Sequence, residues 1–200
     1  RQQEPGARMV YFIIGLVVLL IVAPIIAVLP SKRQKEQMAL RREAMAQGIN
    51  VEITTIDDPI SDQEKYRSST GKKLEPRLTV SAYRVARPQP REWRREPALI
   101  WRLERRATAG ADNDLPGTWC WAAGALAEIS REMQAFVVAG VALLPDDVVC
   151  IEENNRIVSL YWHERSGQSG LHAVRDFLNG CIAVKPVAPA DDLGDASDHS

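Results

Sequence analysis

Residues 10–29 read VYFIIGLVVLLIVAPIIAVL, twenty positions without a single charge. A helix rises about 1.5 Å per residue, so a run of this length matches the roughly 30 Å hydrocarbon core of a bilayer. The pattern predicts a transmembrane helix over residues 10–29, in contact with membrane lipids. The run is longer than a secretory signal core, ends in Val28-Leu29-Pro30 without a small-x-small cleavage site, and has no cysteine nearby to carry a lipid. These features point to an uncleaved anchor. Pro24 removes one backbone hydrogen bond, which membrane helices tolerate. Met9, directly before the run, is a candidate initiator, which makes residues 1–9 an N-terminal extension.

The flanks orient the anchor. Lys32, Arg33, Lys35, Arg41 and Arg42 follow it, whereas only Arg1 and Arg8 precede it. The positive-inside rule then puts residues 31–200 in the cytoplasm. Cys120, Cys150 and Cys181 suit that placement, because the cytosol keeps thiols reduced. Their wide spacing, without CxxC or a neighbouring His, is not that of a zinc site, and an odd count argues against a disulfide framework.

Ser31-Lys32-Arg33-Gln34 has the form of a capping box, strong helix formers follow, and Gly48 is a natural terminator. On a helical wheel Met38 and Met45 fall together while Leu40 and Ala44 lie elsewhere, so no clean apolar face results. Residues 30–48 are therefore expected to form a basic, solvated helical stalk. Lys32, Arg33, Lys35, Arg41 and Arg42 are its candidate contacts with anionic headgroups or a partner.

Beyond the stalk the pattern is that of one domain over residues 49–185. Residues 49–54 alternate apolar and polar, as a strand does, and 57–76 are a polar loop. Residues 78–87 and 98–106 are further strands, the second with Leu99, Trp101 and Leu103 on one face. Leu126, Ile129, Met133, Phe136 and Gly140 recur at spacings of three and four and predict a helix over about 119–141. Residues 148–153 and 156–164 flank Glu-Asn-Asn-Arg and predict a hairpin, because Asn tolerates the left-handed backbone of a tight turn. A last helix opens at Ser169 or Gly170, with Leu171, Val174, Phe177 and Leu178 inward. Residues 186–200 hold four Asp and no Phe, Tyr, Trp, Lys or Arg, the composition of a disordered acidic tail. The expected fold class is α+β, a mainly antiparallel sheet covered on one face by two helices.

Charge is divided along the chain: residues 1–106 carry 20 Lys/Arg against 12 Asp/Glu, and residues 107–200 carry 5 against 14. The positive half adjoins the anchor, where an anionic leaflet would attract it. Arg91, Arg94 and Arg95 lie in an Arg-rich stretch with Tyr83, Trp93 and Trp101. That stretch could hold RNA phosphates, yet it fits no RNA-binding signature; Arg91, Arg94 and Arg95 are expected instead to contact anionic lipid or an acidic partner, and nucleic acid is not the expected partner. His163 and His172, with a cysteine, form the alternative of a small enzyme or metal-binding domain. No third ligand is evident, and on a strand Glu164 faces away from His163. Cys120, between Trp119 and Trp121, would be reactive at a helix N-terminus, although aromatics of that size more often fill a core. The glycines form neither GxxxxGK[ST] nor GxGxxG, and no cofactor is expected.

Pro30-Ser31-Lys32-Arg33-Gln34-Lys35-Glu36, with Gly48 and Val51 beyond, resembles the YajC-type accessory subunit of the bacterial preprotein translocase. That family has one short span, a basic exit, a charged helix and a small β-rich region. The resemblance covers roughly residues 10–55, and the Gly-Gly pair of the family is replaced here by Thr54-Thr55-Ile56-Asp57. It implies a bacterial inner-membrane protein and a non-catalytic place beside the secretion channel, with other membrane proteins as partners.

Overall fold

The structure is a computed structural model, and it describes residues 5–28, 31–88, 99–107, 115–123 and 129–185, with the side chains of residues 10–23 in the first segment. The chain divides into two compact units, Arg1–Met38 and Ala39–Ser200. In the first unit α1 (Pro5–Val28) is one helix of 24 residues, continuous through Pro24. Residues 10–28 of the expected span are helical, and the apolar side chains from Val10 to Val22 are exposed. Among the described residues no helix is long and apolar enough to cross a membrane, so the transmembrane reading is unsupported by the structure.

α2 (Lys32–Ala46) begins as its sequence dictates. The Ser31 N–H donates to Gln34 Oε1 at 2.7 Å and the Gln34 N–H to Ser31 Oγ at 3.3 Å, a reciprocal capping box. Gly48 ends it at φ +83°, as a C′ glycine does. The solvated stalk is only half of what forms. Leu40 and Ala44, one turn apart, are buried with Ile49 in the main core, while Met38 and Met45 are exposed. Two small buried positions were enough to dock the helix, and a search for a broad apolar stripe overlooks so narrow a contact.

The second unit is α+β. Six strands, β1 (Asn50–Asp57), β2 (Arg77–Ala86), β3 (Trp101–Arg105), β4 (Trp119–Ala123), β5 (Val148–Asn154) and β6 (Ile157–Trp162), form one antiparallel sheet in the order β1-β2-β6-β5-β3-β4. A 3-10 turn (Glu64–Tyr66) lies between β1 and β2. α3 (Arg131–Val141) and α4 (Gly167–Ala183) pack together, and α4 lies on β2 and β6. Tyr83, Trp101, Leu103, Ile151, Leu160 and Trp162 point from the sheet into the core these helices close. The β5–β6 turn has Asn155 at φ +50° and Arg156 at φ +64°, the two left-handed residues of a type I′ hairpin.

One element differs from expectation. The helix predicted from about 119 starts only at Arg131, and Trp119–Ala123 is a sixth strand, paired with β3. Its bulky residues find partners across the sheet: Trp119 lies under the Arg105 guanidinium and Trp121 meets Trp101 edge-on. The helix waits for Ser130, whose Oγ accepts the Met133 N–H at 3.1 Å. Ile129 and Met133 are both buried, so spacings of three and four joined a loop residue to a true helix. Leu126, like the acidic tail, lies outside the described residues.

Two glycines let α3 and α4 approach. A Cβ on Gly180 would stand 2.2 Å from Phe136 Cζ, and one on Gly140 would stand 2.7 Å from Phe177 Cδ2. Phe136 and Phe177 pack at 5.7 Å between ring centroids in the space so left. Gly180→Ala is expected to lower unfolding free energy by about 1–3 kcal/mol through overpacking, read from the urea midpoint at unchanged slope.

Candidate functional site

One set of polar side chains converges where α2 meets the sheet. Glu164 stands two residues past the end of β6 with φ +57°, an unusual backbone for this residue type. That turn sends its carboxylate to the helix side, where the side chain is 1% exposed. Arg41 of α2 donates to it from Nε at 2.8 Å and from Nη2 at 2.6 Å, a two-pronged ion pair. The Tyr83 hydroxyl donates to the same carboxylate at 2.9 Å, and Arg41 Nη2 also reaches Ser81 Oγ at 3.2 Å. Burial, and then the Glu164 charge, push the Tyr83 phenol far above its ordinary value, so it stays protonated and donates. Gln168 at the start of α4 adds a more exposed bond to Glu43 of α2 at 2.7 Å.

This constellation clamps. Left-handed backbone at a non-glycine residue costs of order 1 kcal/mol and persists where the surroundings over-determine it. Here Arg41, Tyr83 and Ser81 supply that determination. The last turns of α2 are held by apolar contacts at Leu40 and Ala44 and by a directional charge pair at Arg41 between them.

The opposite face of the sheet carries a second network. Arg84 pairs with Glu52, Tyr161 donates to Glu152 at 2.5 Å, and Arg102 bridges Glu152 at 3.1 Å and Glu104 at 2.6 Å. Opposite charges alternate across β1, β2, β5 and β3, each neutralising its neighbour. Burial and the Glu152 bond push the Tyr161 phenol up to about 12. Cys150 lies buried beneath with Val80 and Ala82, and burial raises its thiol well above the ordinary value.

Sequence reasoning selected eight cations, and the structure separates them. Lys32, Arg33, Lys35 and Arg42 are exposed on α2. Arg41 is turned inward and committed to Glu164. Arg91, Arg94 and Arg95, with Trp93, lie outside the described residues. Trp101 is a core residue whose indole N–H reaches Glu153 at 3.0 Å.

His163 lies just past β6, its backbone N–H donating to the Asp147 carbonyl at 3.1 Å. His172 is exposed on α4, its Nε2 3.5 Å from Gln168 Nε2. Cys150 and Cys181 belong to clusters on opposite sides of the sheet. Cys120 sits on β4 rather than at a helix N-terminus, is 2% exposed, and its thiol faces the Glu104 carbonyl at 3.4 Å. Among the described residues no group of three His, Cys, Asp or Glu could hold a metal ion. The loop between β1 and β2 is organised by Asp58, which accepts the Ile60 N–H, Lys65 Nζ and the Tyr66 hydroxyl. Burial pulls that carboxyl up, and these bonds more than offset it, leaving it below its usual value. A cavity of about 250 Å³ beside it is lined by Tyr66, Arg67, Asp62 and Lys73.

Arg41 and Glu164 are 123 residues apart, and no local pattern marks either one. The chain matches no protein-family model, no curated protein and no solved structure.

Arg41→Ala is expected to cost about 2 kcal/mol, less than the 3–5 kcal/mol of a fully buried pair because Arg41 is partly open to water. A double-mutant cycle with Glu164→Gln, followed by urea unfolding, should return a coupling of at least about 1 kcal/mol. His163 gives a pH signature. Burial first, and then the Arg165 charge, hold its ring below the ordinary 6.5. The unfolded chain thus binds this proton more readily, and stability should fall as pH drops through the unfolded value towards the folded one. His163→Asn should flatten that part of the stability–pH curve.

Proposed function

We propose that this chain is a single-pass membrane protein whose α+β domain is a non-catalytic interaction module on the cytoplasmic side. The observation that carries the proposal is α1. It holds residues 10–28 of the uncharged run, and its large apolar side chains from Val10 to Val22 stand exposed, Val22 at 38% and Tyr11 and Phe12 at 74%. An apolar surface of that kind needs lipid or protein around it. The exposed cations of α2 fit the same reading, because basic residues close to an anionic leaflet contribute about 1 kcal/mol each.

The same layout supports a place among other membrane proteins, with the bacterial preprotein translocase as the partner implied by the resemblance of residues 10–55. The domain beyond residue 56 would then be an addition specific to this chain.

Two experiments test these statements. In bacterial membranes washed with alkaline carbonate the full chain should stay in the pellet, and a Leu16→Asp/Leu20→Asp variant should appear in the supernatant. Release of the wild-type chain would overturn the anchor. A photo-crosslinker at Arg33 or Lys35 in intact membranes should capture a channel subunit, and recovery of no specific membrane protein would overturn the translocase partner.

A further inference from the structure

β1 is an edge strand among the described residues, eight residues long and paired only with β2. It has no proline, no lysine and no bulge in its pairing with β2, and its charges are two carboxylates, Glu52 and Asp57. β4, at the other edge, has five residues. Which backbone groups β1 leaves unused follows from the register. Asp58 and Pro76 oppose each other just past the last ladder pair, Asp57 and Arg77, and the Asp58 N–H donates to the Pro76 carbonyl at 2.7 Å. Hydrogen-bonded pairs alternate along an antiparallel ladder. Ile56, Thr54, Glu52 and Asn50 therefore bond to β2, and Val51, Ile53, Thr55 and Asp57 direct their N–H and C=O groups away from the sheet. In the middle of that outward set stands Ile53, a large apolar side chain 59% exposed.

We infer that this edge is a homodimer seam in which β1 pairs antiparallel with β1 of a second copy about a two-fold axis at Ile53. An isologous pairing must match the outward set with itself, and a centre on Ile53 does so. Ile53 then opposes its own copy, Val51 opposes Thr55, Glu52 opposes Thr54, and Asp57 opposes Ile49. No carboxylate meets another, and the exposed isoleucines cover each other. Centring on Thr54 instead would part the two exposed Ile53 side chains, setting each against Thr55, and would put Glu52 against Ile56. The occupant is a second copy because the Ile53-centred register brings the two exposed isoleucines together with no carboxylate against another. Joined so, two six-stranded sheets become one sheet of twelve, with their helices on the same side.

The test uses the full chain in native membranes and in detergent. Ile53→Cys, oxidised with copper phenanthroline, should form a covalent dimer at least tenfold faster than Asp57→Cys, whose symmetry mates the register keeps far apart. The three native cysteines are buried and add little background. Thr55→Pro removes an N–H that β2 does not use, and should halve the mass measured by light scattering while leaving the far-ultraviolet spectrum unchanged. If that variant does not fold, Ile53→Lys, which opposes two cations at the axis, should give the same halving. A monomeric wild-type chain, equal crosslinking at positions 53 and 57, or capture of Ile53→Cys only by a different protein would each overturn the inference.

Discussion

The ion pair between Arg87 and Glu153 is the interaction on which most of the domain depends. Both side chains are almost wholly buried, at 3% and 1% exposure, and they meet in a two-pronged contact with both distances 2.7 Å. Glu153 also accepts the Trp101 indole N–H, and Arg87 Nη1 donates to the carbonyls of Cys181 and Val184 at 2.6 Å. One guanidinium thus joins the end of β2 to β5, to β3, and to carbonyls at the end of α4 that have no helical donor. Two charges this deep are tolerated because nearly every donor and acceptor around them is used. A slip of one residue in β5 would turn Glu153 to the other face and leave Arg87 buried without its carboxylate.

With that register set, the sheet has two unlike faces. Among the described residues the helix side carries two ion pairs whose carboxylates are 1% exposed, Arg87–Glu153 under the end of α4 and Arg41–Glu164 under α2. The other side carries alternating charges above a small apolar patch of Val80, Ala82, Cys150 and Tyr161. The ionic points hold helices in place, whereas the charged band gives the open face a solvated surface.

Much of the fold was legible from periodicity. The alternation in residues 49–54 and 78–87 located β1 and β2, Glu-Asn-Asn-Arg located the hairpin, and Leu171, Val174, Phe177 and Leu178 are all buried in α4 as their spacing required. Ser31 and Gln34 form the capping box their types predicted. The errors came where a pattern was too short or ran across a boundary. Trp119–Ala123 was absorbed into a helical periodicity that begins only at Ser130, and Leu40 with Ala44 was too narrow a stripe to register. Of the clamp nothing was legible. Arg41 read as one more stalk cation and Glu164 as a neighbour of His163.

Taken alone, the sequence determined what depends on residues close together in the chain. These are the uncharged run of residues 10–29, the helix caps, the two-residue and three-to-four-residue periods that define strands and helices, and the division of charge between the two halves. Only the tertiary structure decided which charges are partners. Arg41 with Glu164 and Arg87 with Glu153 are separated by 123 and 66 residues, and an arginine's side chain looks the same in sequence whether it faces water or a carboxylate. The difference is one of desolvation. A buried charge is tolerated only where the folded chain has brought its counter-charge within hydrogen-bond reach, and that proximity is a property of the sheet order and the helix docking.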